Sequence, residues 1–171
     1  LKPNRIKFGR NVNLIINHLK RKKRYDETIS FLQDMFRHKE DVSFYLELCY
    51  IYIMQKNGQK VEDLMTVLEK KYPESVELKN LYAYFLAMEN RKLQHALKLS
   101  EFTLSRDREN LAYIDTYGYI LFKLGNIEEA LSFFEKAYHK NPFDSEIIEH
   151  LVDCYQIKNR TEKILQIYKY A

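Results

Sequence analysis

One period runs through these 171 residues and limits the folds open to them more than any other feature. Pro73 and Pro142 stand 69 positions apart, and Ala96, Ala130 and Ile164 follow one another at intervals of 34. Tyr50, Tyr84 and Tyr119 keep the same step, at 34 and then 35. Self-similarity on this scale marks a chain of supersecondary units that bury their apolar faces only against their neighbours. With 4 Gly, 3 Pro and no β-rich run, the unit has to be helical. A step of 34 suits a helix–turn–helix pair.

The clearest unit runs over 111–144. Ile114, Tyr117, Leu121 and Leu124 have helical spacing, and Gly125-Asn126 then interrupts the helix, as glycine does just past a C-terminus. A second helix is predicted from Ile127 to His139. Glu128 and Glu129 sit favourably at its positive end, and Ala130, Phe133, Phe134 and Ala137 share a face. Asn141-Pro142 closes it. Tyr117-Gly118, Leu121, Gly125, Ala130, Phe134, Ala137 and Pro142 together resemble the tetratricopeptide repeat, and Asp115 to Gly125 is similar to its bacterial members. Gly118 and Ala130 are then small so that two helix backbones approach closely, with Phe134 filling the space beside them.

That resemblance implies an all-α fold: a right-handed α-solenoid, or superhelix, of stacked antiparallel helix pairs. It extends in register over 9–171, as a degenerate repeat at 9–41, repeats at 42–75, 76–110 and 111–144, and a partial repeat at 145–171. A basic lead-in, 1–8, precedes it. In this family the second, fifth, ninth, twelfth and thirteenth places of a repeat face a concave groove. The resemblance therefore implies a partner-binding groove lined by Tyr50, Met54, Tyr84, Met88, Asp115, Tyr119 and Phe122. Tyrosine offers amphipathic contact at low entropy cost, and methionine repacks easily. Glu47, Glu77 and Leu81 stand where some members carry the residues that clamp a C-terminal carboxylate, so that mode of binding is not expected.

Charge is unevenly distributed. Residues 1–24 hold nine Lys or Arg and no acid, whereas the rest holds 19 basic and 24 acidic residues. The basic patch of Arg10, Lys20, Arg21, Lys22, Lys23 and Arg24 offers an alternative function, binding nucleic acid or another anionic surface through a salt-sensitive field. The groove tyrosines lie among neutral and acidic residues, whereas base-stacking sites interleave aromatics with cations. A protein partner, supplying a peptide or a helix, is therefore the favoured reading, with nucleic acid disfavoured.

No catalytic chemistry is legible. The glycines are isolated, the five histidines show no ligand spacing, and Cys49 and Cys154 lie 105 positions apart. We expect no catalytic, cofactor or metal residues, and two inert core thiols. No apolar stretch is long enough to span a bilayer, so a soluble protein is expected; the resemblance implies a bacterial one, cytoplasmic or periplasmic, with the compartment left open. The chain starts at Leu1 rather than Met, which reads as a trimmed piece of something longer. The last helix offers Ile164, Leu165, Ile167, Tyr168 and Tyr170 within seven residues, too many for one face. Self-association, or a further segment packing there, is expected.

Overall fold

The computed structural model describes residues 5–38 and 41–170, with side chains over 12–37 and 41–169. Residues 1–4, half of the basic lead-in, and the side chains of Arg10 and Tyr170 lie outside the described part. Among the described residues there are ten helices and no strand. They run as α1 (Arg5–Arg21), α2 (Tyr25–His38), α3 (Val42–Met54), α4 (Gly58–Lys71), α5 (Val76–Met88), α6 (Leu93–Arg106), α7 (Leu111–Lys123), α8 (Ile127–Lys140), α9 (Ser145–Ile157) and α10 (Thr161–Tyr170). None is long and apolar enough to cross a membrane.

The sequence period is written into the backbone at two places. Asp41, Ser75, Asn110 and Asp144 each cap the first helix of a pair, their side chains accepting backbone N–H groups of the opening turn. Such caps stabilise a helix by about 1 kcal/mol each. At the other end, Lys23, Lys56, Asn90, Gly125 and Asn159 all have positive φ, so a left-handed residue follows every odd-numbered helix; after α5 a second one, Lys92, precedes α6. After α7 the Gly125 N–H reaches the Phe122 carbonyl and the Asn126 N–H the Leu121 carbonyl. This is the Schellman closure, which reverses the chain within three residues and lays the second helix antiparallel to the first.

The chain divides into two units, Leu1–Tyr72 and Pro73–Ala171. In the first, Val12, Ile16, Leu32, Phe44, Leu48 and Ile51 form a core between α1, α2 and α3. Cys49 and Val61 are buried too, with the Cys49 Sγ 3.9 Å from the Met65 Sδ. In the second unit Leu121, Ala130, Phe134, Leu151, Cys154 and Ile167 form a core across α7 to α10. At Gly118 the backbone of α7 lies close against side chains of α8: a Cβ there would stand 2.9 Å from the Phe134 ring and 3.2 Å from the Phe133 Cβ. Glycine is required there by space, not by backbone angle.

Candidate functional site

The site grows out of α5, α7 and α9, the odd-numbered helices of the second unit. Tyr84 on α5 and Tyr119 on α7 occupy equivalent places, and their rings lie 5.8 Å apart. Tyr119 stacks on Phe122 at 6.5 Å and on His150 of α9 at 4.5 Å. Behind it, His150 is 5.1 Å from the core ring of Phe134. Both tyrosines are half-buried, and Tyr119 packs against the core of α7 to α10. The tyrosines and Asp115 were expected to share one surface; the structure adds the hydrogen bonds that join them to α9 as a polar layer.

Asp115 lies at the base of that layer. It is only 7 % exposed, and its carboxylate bonds the His150 Nδ1 at 2.9 Å. A buried carboxylate is tolerated only with such a partner. Asp115 therefore positions the imidazole beneath Tyr119 and is itself largely shielded from solvent. On α9, Glu146, Glu149, His150 and Asp153 recur at helical spacing and form a single stripe. The Tyr84 hydroxyl donates to the Glu146 carboxylate, which ties α5 to α9. Burial raises the Tyr84 phenol pKa, and Glu146 raises it further, so the hydroxyl keeps its proton.

Asp115, Glu146 and His150 bring one ligand atom each within 4.8 Å of one another, a grouping with no motif in the linear sequence. Two of the pairings cross 35 and 62 positions. The first is one repeat step, so aligning successive repeats is the signal that would have found it. In the structure these groups bond to each other and to Tyr84.

The remaining expected residues divide by unit. Met88 is exposed one turn beyond Tyr84, and Phe122 is half-buried beside Tyr119. Tyr50 and Met54 belong to the first unit, where Tyr50 is 44 % exposed and Met54 is also exposed. Of the basic patch, Lys20 pairs with Glu47 at 2.8 Å and stands over the Tyr50 ring, while Arg24 pairs with Glu27. Arg21, Lys22 and Lys23 are exposed, the last in the turn between α1 and α2. On α10, Leu165 and Tyr168 face solvent and Ile167 is buried.

Stacked helix pairs with Gly118, Ala130 and Phe134 at their contacts coincide with a family match. The family described as Psidin, N-terminal TPR repeats region, matches residues 77–171. The chain belongs to the tetratricopeptide-repeat (TPR) family. No curated protein shows significant sequence similarity. Among solved structures, TTC0263, a thermophilic TPR protein of Thermus thermophilus, superposes with a TM-score of 0.79 at 15 % identity, covering 95 % of this chain and 89 % of that one. MamA of Desulfovibrio magneticus RS-1 gives 0.67 at 14 % identity, covering 94 % and 91 %. MamA AMB-1 gives 0.64 at 20 % identity, covering 91 % of each chain. At these identities the likeness is one of fold.

Proposed function

We propose that this TPR chain is a non-catalytic scaffold whose groove binds a peptide segment of a partner protein. TPR repeats are interaction modules, and the observation that carries the reading is the Tyr84–Tyr119 pair. The two rings are in contact and half-buried, and Tyr119 is backed by His150, which itself packs on Phe134. Rigid aromatic surface held in place loses little entropy on binding, which is the physical basis of an anchor site. In the basic patch, Lys20 and Arg24 are already paired with acids, which weakens the field available to an anionic ligand.

Comparing Tyr84 with its neighbour Phe85 tests whether the ring is an anchor or a piece of core. Phe85 is 2 % exposed, and Phe85→Ala should cost roughly 3–5 kcal/mol of stability. Tyr84→Ala should cost about 1–2 kcal/mol in the same denaturant melts. Equal losses would make the tyrosine row structural. A displayed library of random peptides selected on the protein should then yield ligands that bind the Tyr84→Ala Tyr119→Ala variant on the order of thirtyfold less tightly. Failure to select any such ligand would refute the groove reading.

A further inference from the structure

The three equivalent tyrosines differ in what stands on their rings. The Lys20 ammonium lies 4.5 Å from the centre of the Tyr50 ring, and the Lys123 ammonium 4.9 Å from that of Tyr119. Among the described residues no lysine or arginine stands over Tyr84, at the same place of its own repeat.

The carboxylates beside it are equally without cations. Elsewhere in the second unit, acids draw in paired bases: Glu109 takes Lys136 and Lys140, and Glu128 takes Lys158 and Arg160. Among the described residues, no lysine or arginine pairs with Glu146, Glu149 or Asp153, and Asp115 has only His150. The stripe of α9 thus holds carboxylates with no paired lysine or arginine among the described residues, Lys123 being engaged over the ring of Tyr119. A separate observation comes from α5. One turn before Tyr84, the Asn80 side-chain oxygen is buried and accepts no hydrogen bond. A buried acceptor left alone is costly.

An electron-rich ring face, a carboxylate at its hydroxyl and an apolar Met88 one turn along call for one side-chain chemistry. We propose that the partner segment places an arginine against Tyr84, its guanidinium on the ring and paired with Glu146, its methylenes along Met88. Arginine meets these features better than lysine. Its planar fork matches a carboxylate bidentately, it stacks on aromatic faces, and it is more weakly hydrated than an ammonium. Its stem covers apolar surface while the charged head stays at the carboxylate. Asp115 acts here as a positioning residue, through His150 and the ring of Tyr119.

This inference rests on the groove reading, and the peptide selection separates the two. Peptides whose binding depends on Tyr84 and Tyr119 should be enriched in arginine. In the tightest one, Arg→Gln should weaken binding at least about tenfold. Glu146→Gln in the protein should weaken the parent peptide to a similar degree, leave the Arg→Gln peptide unaffected, and leave the melting temperature unchanged. Parent binding should also fall as salt is raised from about 0.1 M, where the screening length is about 10 Å, towards about 1 M, where it shrinks to about 3 Å. Groove-dependent peptides without an arginine excess, or an Arg→Gln peptide that still loses affinity on Glu146→Gln, would overturn the arginine site and leave the groove standing. A library yielding no groove-dependent peptide would overturn both.

Discussion

At Gly118 a single hydrogen atom in place of a side chain decides how close α7 and α8 can come. The Phe134 ring and the Phe133 Cβ already stand at contact distance from where a Cβ would be. Gly118→Leu is therefore expected to lose about 1–3 kcal/mol by overpacking, read as a lower denaturant midpoint with an unchanged slope. A variant as stable as the parent would mean that the two helices can separate at little cost. Cys49, at the matching place of an earlier repeat, shows the alternative solution, since its small thiol is wholly buried against Met65. Both residue types were readable from the repeat alignment. The Asp115–His150 bond was not, because each residue taken singly looks like an ordinary groove or surface polar group. Only stacking one repeat on the next brings them within 2.9 Å.

The turn between paired helices repeats more faithfully than the helices themselves. Its left-handed residue is Lys, Lys, Asn, Gly and Asn in successive repeats, at Lys23, Lys56, Asn90, Gly125 and Asn159. A lysine in this region is strained relative to glycine by roughly 1 kcal/mol. Lys56→Gly should therefore stabilise the first unit by up to about 1 kcal/mol, with part of that gain offset by a more flexible unfolded chain. An unchanged or lower urea midpoint would show that the Lys56 side chain supports the turn in some other way. The sequence period announced a turn here, but the backbone state of a lysine has no signature in composition. In α10, Leu165 and Tyr168 are 55 % and 66 % exposed, while Ile167 is 5 % exposed. Changing both outer residues to lysine should leave the thermal melt nearly unmoved. Ile167→Lys should destabilise the end of the array by several kcal/mol, because it buries a charge. The apolar run of this helix was plain from the sequence. Which of its residues faces the core became clear only once α9 was placed beside it.

Repeat proteins distribute their stability along the chain, because each pair of helices rests on its neighbours alone. Helical content, helix order and the family were legible at this scale, for the spacing of Ala96, Ala130 and Tyr84, Tyr119 follows directly from the geometry of stacking. The division after Tyr72 was not, since the period runs through it without a break. That division gives the two cysteines a use unrelated to binding. Cys49 lies in the first unit and Cys154 in the second; both are fully buried, and burial pushes each thiol pKa up to about 12. Thiolate is the reactive form, so alkylation at neutral pH has to wait for the surrounding helices to part. Each unit thus contains its own chemical clock, and one labelling time course read by peptide mass runs both at once. Gly118→Leu should quicken the Cys154 clock and leave that of Cys49 at its former pace. If both quicken together, the two units open as a single cooperative block.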